Sequence, residues 1–260
     1  MLKIFKYSLL DMIRNRWIFS YMLFFLLITT GMVILNGHPT KVIISLTNII
    51  LALTPLVGLL FGVMYYYNSK EFIELLLTQP VSRRSVFSGI YFGLCTSLCL
   101  SLIVGIALPL VISGILTTAT IKSFCILIAM GLALTIIFSL MAFLIALKFN
   151  NKIVGFGVAL FAWFFFAILY DGVFLILLYI FKDYPLENMT LAMTLLNPVD
   201  LARIMVILNL DISAMMGYTG AVLQKLLGSQ IGALLIVAAL ALWISVPYWR
   251  FLRLSKIKDF

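Results

Sequence analysis

The side chains able to do chemistry in this chain are few and scattered. Cys95 and Cys99 stand four residues apart in an apolar run, on one face of a helix. That spacing can hold a soft ion such as Cu(I). Small buried cysteines more often serve as packing residues. Met189, Met193, Met205, Met215 and Met216 gather in the segment 181–229, where thioethers offer a soft ligand or simply fill an apolar surface. His38 is the only histidine and has no second ligand near it in sequence. Asp171 is the one acid inside an apolar run. At 1.5 Å per residue it lies about 28 Å from Lys152, near the far side of a bilayer. An intramembrane acid is a functional candidate by default, but at that depth a hydrogen bond to the neighbouring 181–229 segment explains it equally well. No GxxxxGK[ST] loop, HExxH or GxSxG occurs. The chain is not read as an enzyme, and no residue set spells a metal centre.

The elements that hold these residues are membrane helices. Of 260 residues, 64% are hydrophobic and 10% charged, where a globular chain carries about a quarter charged. Runs near 17–36, 42–66, 86–116, 122–147, 153–180 and 230–250 each approach or exceed the roughly 20 residues that cross a bilayer. The fold class is therefore all-α, a polytopic membrane protein with six transmembrane helices. The third and fifth runs are long enough to require tilt, a kink at Pro109 or an interfacial extension. Trp17, Tyr65, Tyr66, Tyr67, Trp243 and Trp249 fall near span ends, as interfacial aromatics do. Residues 1–16 precede the first span as an interfacial helix, with Leu2, Phe5, Leu9, Met12 and Ile13 as its apolar stripe. The run after it is span-length with no small-x-small cleavage site, so it is taken as retained. All three cysteines lie in apolar runs, and no disulfide framework is implied.

Basic residues orient the spans. Lys3, Lys6, Arg14, Arg16, Lys70, Arg83, Arg84, Lys148, Lys152, Arg250, Arg253, Lys256 and Lys258 fall on one side, against Lys41, Lys122, Lys182, Arg203 and Lys225 on the other. The excess places both termini and the loop 67–85 in the cytoplasm. It also accounts for the net charge of +9 without a nucleic-acid partner, since the charges are dispersed at span ends.

Two segments and one stripe stand out. In the loop 67–85, Lys70, Glu71 and Glu74 share a helical face, and Phe72, Ile73, Leu75, Leu76 and Leu77 cover the rest. Thr78-Gln79-Pro80 ends the helix, and Arg83 and Arg84 follow. A short amphipathic helix at the surface can receive a push from a soluble partner; the plainer alternative is an ordinary interfacial helix. The segment 181–229 reads as a small helical cap on the outer side. There Asn197 caps a helix, Pro198 suits its first turn, Asp200 favours its positive end and Arg203 can pair with Asp200. Asp211 starts a second element, broken by Gly217 and Gly220. Gly89, Gly93, Ser97, Ser101 and Gly105 recur every fourth residue and let another helix approach closely, either within the bundle or from a second copy.

The sequence Glu71…Glu74-Leu75-Leu76-Leu77…Pro80-Val81-Ser82-Arg83 resembles the cytoplasmic coupling loop of single-domain ABC exporter permeases. Further stretches extend the likeness over most of the chain: Asp11…Arg14-Asn15-Arg16-Trp17; Leu196-Asn197-Pro198-Val199-Asp200-Leu201-Ala202-Arg203; Asp211 through Ala221; and Pro247…Trp249-Arg250-Phe251…Asp259. Together they resemble the copper-processing permeases that serve maturation of nitrous oxide reductase in denitrification. The resemblance implies one permease domain, 1–260, in the bacterial cytoplasmic (inner) membrane, acting as a homodimer. It implies two copies of a cytoplasmic ABC ATPase docked on Lys70, Glu71, Glu74, Leu75, Leu76, Leu77, Gln79, Pro80, Arg83 and Arg84. ATP and magnesium belong to that ATPase, and no cofactor is bound by this chain. It also implies a periplasmic accessory protein meeting Asn197, Pro198, Asp200, Arg203, Asp211, Met215 and Met216, and a role in building copper–sulfur centres. A sulfur cargo suits the apolar spans; a copper cargo would give weight to Cys95 and Cys99.

Two other readings stand beside this one. A generic ABC exporter of lipid, peptide or drug would use the same ATPase without a periplasmic partner. A secondary transporter would carry coupling acids at mid-bilayer and broken helices in repeats.

Overall fold

The computed structural model describes residues 2–36, 38–114, 120–181, 187–210 and 230–257. The described residues are all-α, and six helices are long and apolar enough to cross a membrane. A short helix α1 (Leu2–Ile13) turns at Asn15 into α2 (Arg16–Leu35), and α3 (Pro39–Asn68) returns. A surface helix α4 (Lys70–Leu77) then leads into α5 (Arg83–Ile112) and α6 (Ile121–Lys148). The fifth span is α7 (Lys152–Phe164), a π-helical turn Phe165–Leu169 and α8 (Tyr170–Ile180). Helices α9 (Glu187–Leu196) and α10 (Pro198–Asn209) follow, and α11 (Gln230–Ile257) closes the chain.

The helix starts follow local chemistry. Asn15 Oδ1 accepts from Trp17 N at 3.1 Å and Asn151 Oδ1 from Ile153 N at 2.9 Å; each satisfies an amide that the first turn leaves unpaired. Pro39 and Pro198 occupy first-turn positions, where a missing N–H costs nothing. The spans agree with the apolar runs to within a few residues, except that α11 continues to Ile257. Pro109 lies inside α5, which continues to Ile112. In the fifth run the π turn takes up the irregularity.

Helices α3, α5 and α6 form the core, and α2, the fifth span and α11 surround it with largely exposed apolar faces. Without water as a competitor, helix contact in a membrane depends on shape, and small residues set it. A Cβ on Gly62 would stand 2.5 Å from Ala142 Cβ, and one on Gly58 3.3 Å from Phe138 Cβ, so α3 and α6 touch almost backbone to backbone. Buried Thr47 and Thr54 donate to carbonyls four residues back, at 2.7 Å each, which pairs both of these hydroxyls.

In α1, Met12 and Ser8 are buried and Ile4, Phe5 and Leu9 half-buried, whereas Leu2 is 82% and Ile13 52% exposed. The buried face is the one that meets α5, because the glycines of α5 offer the closest approach there.

Candidate functional site: a coupling helix and a re-entrant hairpin

Helix α4 joins the two longest spans, α3 and α5, and packs on both. Its side chains divide as a period of 3.6 requires. Ile73 is fully buried, Phe72, Leu76 and Leu77 are half-buried, and Glu71, Glu74 and Leu75 are exposed. Leu76 and Leu77 pack toward the bundle with Ile73, and Leu75 is the most exposed leucine of the three. Lys70 Nζ stands 3.8 Å from Glu74 Oε1, with both side chains 45% exposed; a pair so solvated orders the face more than it stabilises it. Thr78 Oγ1 donates to Leu75 O at 2.8 Å and closes the helix ahead of exposed Gln79 and Pro80. Arg83 and Arg84 stand exposed in the first turn of α5, and Arg83 Nη1 donates to Lys256 O at 3.4 Å. The last turn of α11 thus lies beside the loop.

One feature ties α4 to the bundle beyond what the sequence suggested. Phe72 stacks on Tyr7 of α1, ring centroids 5.2 Å apart. Behind α4, Tyr66, Phe87, Tyr91, Phe143 and Phe251 form one aromatic cluster drawn from α3, α5, α6 and α11. Tyr67 reaches across to the α6–α7 turn and donates to Phe149 O at 2.6 Å. Displacement of α4 therefore meets a rigid block.

The small-residue stripe of α5 has its partners within the same chain. A Cβ at Gly89 would meet Ile4 of α1, one at Gly93 would stand 2.5 Å from Ser8 Cβ, and one at Gly105 2.7 Å from Phe25 Cβ of α2. Ser97 and Ser101 are buried on the same face, and Ser97 Oγ donates to Gly93 O at 2.8 Å. Of the two packing alternatives, the structure realises the one within the bundle. On the same helix Cys95 is buried and Cys99 half-buried. No group of three or more His, Cys, Asp or Glu side chains converges among the described residues.

The segment expected to sit wholly outside instead dips into the bundle. Helices α9 and α10 bend by 113° about Asn197. At that tip Asn197 Nδ2 donates to Phe166 O at 3.1 Å, and Trp243 Nε1 donates to Leu195 O at 3.2 Å. Phe166 is 14 residues past Lys152, about 21 Å along a span of about 43 Å, so the hairpin reaches half the length of the spanning helices. It returns at Asn209, whose carbonyl accepts from Ser123 Oγ in the first turn of α6 at 3.2 Å.

The tip is polar and internally satisfied. Asn197 is fully buried and uses three of its four hydrogen-bonding positions. Oδ1 accepts from Val199 N at 3.0 Å, and Nδ2 donates to Phe166 O and, at 2.9 Å, to Asp200 Oδ2. Arg203 Nη1 lies 3.1 Å from Asp200 Oδ1 and 2.9 Å from Asp171 Oδ2. The Asn197 cap and the Asp200–Arg203 pair are as the spacing suggested, and Asp171 joins them from across the bundle. Asn197, Pro198 and Asp200 are nevertheless buried rather than on a docking surface. The hairpin puts its polar start at its deepest point, where water cannot compete. Asp211, Met215 and Met216 lie outside the described residues. Neither the inward turn at Asn197 nor the π turn had a marker in the sequence beyond Asn-Pro itself.

No protein-family model matches the chain. It is 27% identical, over 93% of its length and 90% of the relative's, to a Stutzerimonas stutzeri protein named as probable ABC transporter permease protein NosY. It is 25% identical, over the same shares, to the Pseudomonas aeruginosa protein of the same name. These relatives match the resemblance drawn from the coupling loop and the flanking stretches.

Proposed function

We propose that this chain, an ABC transporter permease subunit, serves assembly of the copper–sulfur centres of a periplasmic nitrous oxide reductase. It would do so as a dimer of identical chains in the bacterial cytoplasmic membrane, with both termini and α4 in the cytoplasm. Two copies of a separate ATPase dock on α4, bind ATP with magnesium and supply the energy. A periplasmic accessory protein meets the opposite end. The observation that carries the coupling part is α4 itself: Glu71, Glu74 and Leu75 face outward while Ile73 is fully buried on a helix that packs against α3 and α5.

Closure of the two ATPases pushes on that exposed face. Ile73 passes the load to α3 and α5, the Tyr7–Phe72 stack passes it to α1, and the aromatic cluster carries it to α6 and α11. Both of these helices contact α10, so the hairpin receives the displacement and presents it to the partner outside. Contacts with that partner fall to the exposed part of the segment, since Asn197, Pro198 and Asp200 act as the hairpin's internal anchor.

Affinity purification of the tagged chain from native membranes in mild detergent, with mass spectrometry of what accompanies it, tests the proposal. A phosphate-loop ATPase together with a periplasmic protein is the expected result. An ATPase alone would move the assignment to a generic exporter. A folded preparation with no ATPase would overturn the coupling role of α4.

A further inference from the structure

Helices α6 and α11 enclose an apolar groove of about 690 Å³. Ala238 and Ala239 form its floor between larger neighbours on α11, and Met141 and Leu144 line it from α6. Leu195 and Leu196, from the tip of the hairpin, also line it. The α11 wall runs from Leu235 to Arg250 at helical spacing. That is about 22 Å of helix, against a leaflet depth of roughly 15 Å, half the ~30 Å hydrocarbon core. An extended acyl chain therefore fits within it.

Among the described residues Arg250 is the only charged one lining the groove, and it sits at the end of the groove nearest the last turn of α11. Lys148 ends α6 one turn past Leu144, and Arg253 follows one turn further along α11, its guanidinium 3.8 Å above the Trp249 ring. Neither α6 nor α11 contains an acidic residue. A basic mouth on an apolar intramembrane groove is the arrangement that selects acidic lipid headgroups, and a guanidinium matches a phosphate with two parallel donors.

We propose that this groove binds an anionic phospholipid of the leaflet adjoining the termini, one acyl chain over Ala238 and Ala239 and the phosphate on Arg250. The site places a lipid directly against the hairpin tip, so headgroup composition has a physical route to the cluster of Asn197, Asp200 and Arg203.

The full chain in mild non-ionic detergent, titrated with phosphatidylglycerol carrying brominated acyl chains, tests this through quenching of Trp243 fluorescence, with the Trp243→Phe chain as background. Quenching should saturate at several-fold lower lipid than with brominated phosphatidylcholine. Arg250→Gln, at an exposed position, should remove that preference. Ala238→Phe, also exposed, should fill the groove and protect Trp243 from both lipids. Equal potency of the two lipids on the unmodified chain would overturn the proposal, as would an unchanged preference in Arg250→Gln. So would the absence of Trp243 quenching, the result expected if a second copy of the chain covers the groove.

Discussion

Asn197 Nδ2 donates to the backbone carbonyl of Phe166 across 3.1 Å and 31 positions of sequence. The donor starts a helix at the bottom of a re-entrant hairpin, and the acceptor lies in the π turn of the fifth span. A π turn displaces the regular carbonyl ladder and is often found where a helix serves a function. Here it is the point to which the hairpin is tied. Asn197→Leu would keep the volume and remove both donors, leaving the Phe166 carbonyl and one Asp200 oxygen short of a partner. A loss of about 2 kcal/mol is expected for such unmet buried groups, read as a lower unfolding temperature of the purified chain. Stability equal to the unmodified chain would mean that the tie carries no load.

Arg203 balances two carboxylates, Asp171 and Asp200, within 3.1 Å. Arg203→Ala strands both. Removing one partner of a buried pair costs about 3–5 kcal/mol, and the partial exposure of Arg203 and Asp171 brings the expectation to the lower end, about 2–3 kcal/mol once solvent screening is counted. Adding Asp200→Asn to Arg203→Ala should recover part of the loss, because one unbalanced charge goes with it. Thermal unfolding of the single and double variants checks the order.

The two faces of α4 should separate stability from coupling. Ile73→Ala opens a cavity behind the helix and should cost about 2–4 kcal/mol. Leu75→Ala, at a side chain 58% exposed, should change stability by less than about 0.5 kcal/mol while weakening ATPase stimulation in the reconstituted complex. Equal effects of the two on unfolding would contradict the burial pattern.

Charge reversal of Glu71 and Glu74 together should leave the chain inserted and folded, since both side chains are exposed. It should cut permease-dependent ATP hydrolysis at least several-fold if these carboxylates meet the motor. Hydrolysis at the normal rate would remove them from the coupling surface.

Gly93 stands where α1 crosses α5, and a Cβ there would fall 2.5 Å from Ser8 Cβ. Gly93→Val should push α1 off the bundle at a cost of about 1–3 kcal/mol, the usual range for overpacking. A cysteine introduced at exposed Leu10 should label at its usual rate while one introduced at buried Ser8 becomes reactive. Protection of position 8 in the Gly93→Val background would show that α1 adapts instead.

Six membrane spans and the surface helix between the second and third of them were legible in the chain alone. Each depends on a local quantity: the length of an apolar run, or a proline or asparagine at a boundary. The Asn197 cap and the Asp200–Arg203 pair were legible for the same reason, because three residues on a helix make one neighbourhood wherever the helix sits. Tertiary structure alone decided where that neighbourhood goes. Asn197 and Asp200 carry the composition of a surface turn, yet they stand at mid-bundle because Phe166 O and Arg203 satisfy them there. It also decided which partner the glycines of α5 receive, since a stripe of small residues states that a helix comes close without stating which one. The burial of Ile73 against the exposure of Leu75 has the same origin: both are apolar side chains on one short helix, and only the placement of α3 and α5 beneath it makes one an anchor and the other a contact.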